Sequence, residues 1–143
     1  IKSAVISIPA DNGKIAMEII RSKGKTKVEF ENGEPTALSI KVKVEANVGG
    51  YEKKGKLDSA DSIHKLQEIL KEEIKKEIMM AVEKTRKEYG SDIFGFCSYV
   101  RKHRPQYWKT VRNDWLDIFS ELPVVIQVDT KVMRTGVVKS PIG

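Results

Sequence analysis

From Leu38 to Val48 every even-numbered residue is apolar (Leu38, Ile40, Val42, Val44, Ala46, Val48), while Ser39, Lys41, Lys43, Glu45 and Asn47 take the odd positions. Only an extended chain sends alternate side chains to opposite faces, so this run predicts a strand with one face in a core and one in solvent. Shorter runs of the same period precede it: Ala4, Ile6 and Ile8, then Ile15, Met17 and Ile19, then Val28 and Phe30. Asp11-Asn12-Gly13, Ser22-Lys23-Gly24 and Asn32-Gly33 separate the runs. Gly and Asn accept the positive φ angles of tight hairpin turns, so the expectation is an antiparallel meander of about four strands.

The period then changes. Beyond Gly49-Gly50 and the charged residues 52–56, Ile63, Leu66, Leu70, Ile74, Ile78, Ala81, Val82 and Tyr89 recur every three or four residues. That spacing predicts one long amphipathic helix over 61–89, stopped by Gly90. Ser91 is placed to cap a short helix with an apolar stripe of Ile93, Phe96, Cys97 and Val100. Pro105 suits the first position of a third helix running toward Phe119, because its missing N–H would be unpaired there. Trp108 and Trp115, seven residues apart, share one side of that helix, with Val111, Ile118 and Phe119 extending their stripe. After Leu122-Pro123 the period returns to two at Val124, Ile126, Val128 and Val132, which predicts a fifth strand rejoining the sheet. The fold class is therefore α+β, with a long helix and two shorter helices packed on one face of the sheet. The 143 residues suit a single domain.

Several chemistries lack their donors. His64 and His103 stand in no ligand spacing, and one cysteine cannot complete a zinc site or an internal disulfide. Cys97 falls on an apolar helical stripe, where a buried, inert thiol is expected rather than a nucleophile. Neither a P-loop nor a G-x-G-x-x-G occurs, and the carboxylates are scattered among lysines. No catalytic residue, metal or cofactor is expected. No run approaches the roughly 18 apolar residues that would span a bilayer.

With 26 Lys and Arg against 20 Asp and Glu the chain carries +6. The positive charge is spread along the chain, and the one charged cluster to weigh is Arg101, Lys102, His103, Arg104, Lys109 and Arg112, interleaved with Tyr107 and Trp108. Such a composition fits phosphate contacts with base stacking, an acidic protein face, or anionic lipid headgroups, which attract each nearby Lys or Arg by about 1 kcal/mol. Arg101, Lys102, Arg104 and Lys109 are the candidate partner or membrane surface.

A further pattern joins these segments. Asp92-Ile93-Phe94-Gly95-Phe96, Pro105, Trp108, Trp115, Phe119, Leu122-Pro123-Val124 and Arg134-Thr135-Gly136 follow one another in order, after Met17-Glu18-Ile19 and Ser39-Ile40-Lys41-Val42-Lys43-Val44-Glu45. Over nearly its whole length the chain resembles the Ger(x)C family of spore-germination lipoproteins, in the C-terminal domain of the C subunit of nutrient germinant receptors. It departs at Cys97, where glycine is more usual, and at Gly49-Gly50, where an acidic residue is. The resemblance implies a non-enzymatic subunit held by an N-terminal lipidated cysteine at the outer face of the spore inner membrane, beside integral-membrane partner subunits. A chain that starts at Ile1 in a strand-like pattern fits a soluble domain of such a longer lipoprotein, with the anchor outside it. The family supplies no catalytic residues, and the ligand-binding residues are unknown. Asp92, Phe94, Gly95, Trp108, Trp115, Phe119, Pro123, Arg134, Thr135 and Gly136 enter as structural members of its pattern. Two alternatives stand beside it: a nucleic-acid-binding module using residues 101–112, although no nucleic-acid partner is expected, and a sensor that binds a small-molecule germinant directly.

Overall fold

The computed structural model of the chain describes residues 4–10, 13–48, 60–89, 92 and 94–134. Three strands come first, β1 (Ala4–Ala10), β2 (Gly13–Glu31) and β3 (Glu34–Val48). Helix α1 (Ala60–Lys84) follows and ends in a π-helical turn, Thr85–Tyr89. Three short helices, α2 (Phe96–His103), α3 (Pro105–Val111) and α4 (Trp115–Glu121), lead to β4 (Val124–Arg134). The sheet order is β1-β2-β3-β4. β1 and β2 pair antiparallel, with Ile6 opposite Met17. Asn32 and Gly33, at φ 53° and 81°, make the two-residue turn expected between β2 and β3. The N–H of Leu38 donates to the carbonyl of Pro123 at 2.8 Å, and Val48 and Val132 share one core cluster. Both strands thus run from a common start to a common end, so β4 lies parallel to β3 and the sheet is mixed.

The described sheet has four strands where five were expected, because Ser22-Lys23-Gly24 makes no turn and β2 passes straight through it. Those residues mark a change of phase instead. Ile15 and Met17 are buried at odd positions, residues 20–25 are exposed, and Val28 is buried at an even one. One extra residue in a strand produces such a slip, and flexible Gly24 with polar Ser22 and Lys23 suits it as well as it would suit a turn.

The chain divides into two compact units. The first comprises Ile1–Lys23, Val42–Ile74 and Val128–Gly143. Its core is Ile15, Met17, Ala46, Val48, Leu66, Leu70 and Val132, with Ile6, Ile19, Ile63, Ile69 and Ile74 packed against it. Leu66 and Leu70 are one turn apart on α1 and are 5% and 0% exposed, so the helical stripe meets the strand alternation as expected. β4 is an edge strand, and Gln67 meets it at two points: its Oε1 accepts the N–H of Val132 at 3.1 Å, and its carbonyl accepts the Thr130 hydroxyl at 2.8 Å. The Val132 N–H is thereby withheld from pairing with another chain.

The second unit comprises Gly24–Lys41 and Lys75–Gln127. Val28, Leu38, Ile40, Val82, Phe96, Val100, Trp115, Phe119 and Ile126 are buried in it. Ala81, expected on the buried stripe, is exposed, and Thr85 is buried instead, its hydroxyl donating to the Ala81 carbonyl at 2.7 Å. This back-bond satisfies the hydroxyl where the helix widens to π geometry. The expected Gly90 stop and Ser91 cap lie outside the described residues. The expected third helix is two helices. Residues 112–114 interrupt it, with the N–H of Asp114 donating to the Val111 carbonyl at 2.7 Å. Asn113 and Asp114 are weak helix formers, and α4 buries Trp115 and Phe119 whereas α3 buries nothing. The break gives each half its own orientation.

Truncation of Leu70 to Ala should destabilise the chain by about 2–5 kcal/mol, the cost of an unfilled cavity in a closed core. Urea denaturation followed by circular dichroism measures it, and an unchanged midpoint would contradict the packing described.

Candidate functional site

Within the sequence pattern, the Asp92 carboxylate joins the start of α2 to Trp115 in the second unit. Asp92 Oδ1 accepts the backbone N–H of Phe96 at 3.0 Å, and its Oδ2 accepts that of Cys97 at 2.6 Å and the indole N–H of Trp115 at 2.9 Å. The first turn of any helix leaves its N–H groups unpaired, and here the N-cap position is held by Gly95, which has no side chain to accept them. Gly95 sits at φ 80°, a conformation costly for other residues, and this brings the chain from Asp92 into α2. Phe94 is half-buried, its ring 6.3 Å from that of Phe96, and its carbonyl accepts the Thr26 hydroxyl at 3.4 Å.

Around Trp115 the aromatic rings form a chain of contacts. Trp108 meets it edge-on at 6.0 Å, and Phe119 stacks on it at 6.5 Å and lies 6.0 Å from Phe96. Arg86, not singled out from the sequence, closes this group. Its guanidinium lies 5.2 Å from the Phe119 ring centroid, and its Nη2 donates to the Leu122 carbonyl at 2.6 Å. In sequence it is one cation among the many of a helix surface, and nothing there marks it.

Pro123 is exposed and contributes through its carbonyl bond to Leu38. Arg134 ends β4, and Thr135 and Gly136 lie outside the described residues. Cys97 is half-buried at the Asp92 junction. Burial, and secondly the charge of Asp92, push its thiol above its ordinary pKa, which disfavours the reactive thiolate.

The four candidate surface cations are all exposed. Arg101 and Lys102 lie with His103 in the last turn of α2, and Lys109 lies in the last turn of α3, where cations complement the helix dipole. Arg104 stands between those helices at φ −136°, ψ 61°, outside the helical region as a residue preceding proline should be. Its guanidinium sits 4.7 Å from the Phe30 ring centroid, and Phe30 meets Tyr107 edge-on at 5.4 Å. Tyr107 and Trp108 are half-buried in these contacts, so the rings interleaved with the basic run serve packing rather than an open stacking platform. Among the described residues no group of three His, Cys, Asp or Glu side chains is placed to hold a metal ion, and no helix is long and apolar enough to cross a membrane.

A mixed sheet with a helical connection between β3 and β4, and with its signature aspartate and tryptophans engaged in holding helices together, defines an α+β fold with a structural signature. Residues 1–136 match the family described as Spore germination B3/GerAC like, C-terminal, and the chain belongs to it. It is similar to spore germination protein B3 of Bacillus subtilis (strain 168), 28% identical over 125 residues that cover 87% of this chain and 33% of that protein. Spore germination protein KC of the same organism is 26% identical over 140 residues, covering 94% of this chain and 34% of that protein. The crystal structure of the GerBC protein superposes with a TM-score of 0.80 at 26% identity, covering 93% of this chain and 41% of that one. The chain thus spans about a third of the length of the curated relatives it matches.

Trp115→Ala should cost about 3–5 kcal/mol. Asp92→Ala should cost about 2–4 kcal/mol, since it leaves an indole and two backbone donors without their acceptor. Trp115→Phe keeps an aromatic ring but loses the donor together with part of the buried ring volume. In a double-mutant cycle with Asp92→Ala its effect should be non-additive by about 0.5–3 kcal/mol, and strict additivity in thermal melts would contradict a shared bond. Asp92→Asn removes the charge facing Cys97, so alkylation by iodoacetamide at pH 8 should be faster than in the parent chain.

Proposed function

We propose that the chain acts as a single domain of a non-enzymatic subunit of a spore nutrient germinant receptor, working by assembly with integral-membrane partner subunits at the outer face of the spore inner membrane. The observation that carries this reading is membership of the germination family across residues 1–136. The engagement of Asp92, Trp108 and Trp115 in internal contacts supports it, because the family pattern then describes a framework rather than a reaction centre.

On this reading the working part is a surface. Arg101, Lys102, Arg104 and Lys109 are exposed cations close together in sequence, and they suit an acidic face supplied by a partner subunit or by anionic lipid headgroups. Arg101, Lys102 and Lys109 extend into solvent, while Arg104 also rests on Phe30 and so contributes to both the surface and the packing.

The test is the triple variant Arg101→Glu, Lys102→Glu, Lys109→Glu in the complete protein in spores. Nutrient-triggered germination should fall severely, while protein level and the melting temperature of the purified chain stay unchanged. Normal germination would count against this face. Co-sedimentation separates the two acidic partners: binding to phosphatidylglycerol vesicles, absent with phosphatidylcholine and lost in the variant, would assign the face to lipid. A lack of vesicle binding together with failed germination would assign it to a protein.

A further inference from the structure

The second unit also has an open cleft of about 600 Å³ where the β2–β3 turn region meets α3 and α4. Val111, Ile118 and Leu122, all half-buried, give it apolar walls, and the exposed carboxylates of Glu34, Asp117 and Glu121 stand around it. No lysine or arginine lines it, although the chain as a whole carries +6. Among the described residues none of the three carboxylates has an ion pair or a side-chain hydrogen bond. The field is felt locally: burial first, and the Glu34 charge second, hold the Tyr107 hydroxyl above its ordinary pKa.

The placement meets one local rule of helix design and breaks two, for Asp117 stands in the first turn of α4, where the dipole favours an anion. Asp117 and Glu121 are a like-charged pair at i,i+4, and Glu121 is the last residue of α4, where the helix dipole disfavours an anion. None of the three carboxylates has an ion-pair partner within 4.0 Å among the described residues. Local conflicts of this kind are expected where a sequence serves binding rather than folding.

We propose that this cleft docks a basic segment of a partner protein, with an apolar side chain seated on Val111, Ile118 and Leu122 and flanking Lys or Arg side chains against Asp117, Glu121 and Glu34. The apolar walls supply affinity and the carboxylates supply selection, because a chain of net positive charge repels a basic segment everywhere except at a locally acidic surface. The cleft is lined by residues other than the Arg101, Lys102, Arg104 and Lys109 face, and its occupation does not require that face to work as proposed above.

The experiment titrates the isotope-labelled chain with an acetylated, amidated Lys-Leu-Lys-Leu-Lys peptide and follows backbone amide shifts. The largest shifts should fall on Val111, Ile118 and Leu122, and affinity should drop as salt is raised. Asp117→Lys with Glu121→Lys should weaken binding at least tenfold, and the milder Asp117→Asn with Glu121→Gln should weaken it less. Shifts centred elsewhere, or binding unaltered in both variants, would overturn the proposal. Equal binding of Lys-Ser-Lys-Ser-Lys would remove the apolar seat, and saturation by butylammonium at the same concentration would replace the peptide with a small cation. Self-association of the chain alone that Asp117→Lys abolishes would give the cleft to a second copy. Each of these would also refute it.

Discussion

The carboxylate of Asp92 is the point on which the helical part of the second unit depends. It accepts two N–H groups from the first turn of α2 and the indole N–H of α4. A helix start needs acceptors, and a buried indole needs one too; here a single side chain serves both. Trp115 is 3% exposed, so without Asp92 its N–H would lack both protein and water as partner. From Trp115 the order spreads through Trp108 and Phe119 to Arg86, whose bond to the Leu122 carbonyl fixes the chain just before it enters β4. Gly95 belongs to the same device, because only a residue comfortable at positive φ lets the chain turn from Asp92 into the helix that Asp92 caps.

What could be read from the sequence was whatever repeats. Alternation at Leu38–Val48 and at Val124–Val132, and the helical spacing of Leu66 and Leu70, follow from the geometry of one element at a time, and the structure contains those elements. Features that depend on a neighbour were not accessible in this way. Ser22-Lys23-Gly24 has the composition of a turn, but whether a flexible polar segment reverses a chain or slips its phase by one residue is decided by the strands beside it. The break at residues 112–114 was hidden because Trp108 and Trp115 share a side on a continuous helix, and they meet in the broken one as well. Thr85, three residues beyond buried Val82, takes the place expected of Ala81 in the buried row, and a single hydroxyl bond makes the polar residue acceptable there.

The candidate site was legible to the same degree. Asp92 could be picked out as part of a family pattern, but its three bonds span residues 92 to 115 and no spacing rule predicts them. The basic residues from Arg101 to Lys109 were visible because they are consecutive or nearly so. Glu34, Asp117 and Glu121 were not, since the first is far from the others in sequence and only the folded unit places it beside them. A search for clustered charge along a chain finds surfaces built from one segment and misses those built from two.

The internal signature and the outer surfaces are joined through α4. With 100° between successive residues, Trp115 and Phe119 lie on one side of this helix, and Asp117 and Glu121 lie on the other. The bond from Trp115 to Asp92 sets the rotation of α4 about its own axis, and in doing so sets where the two carboxylates stand in the cleft. Trp115, 3% exposed, and half-buried Asp92 are in this way tied to the exposed side of α4. A helix whose outer face must present charges at fixed positions needs its inner face held by a directional bond, and apolar packing alone, being non-directional, would leave that rotation loosely set.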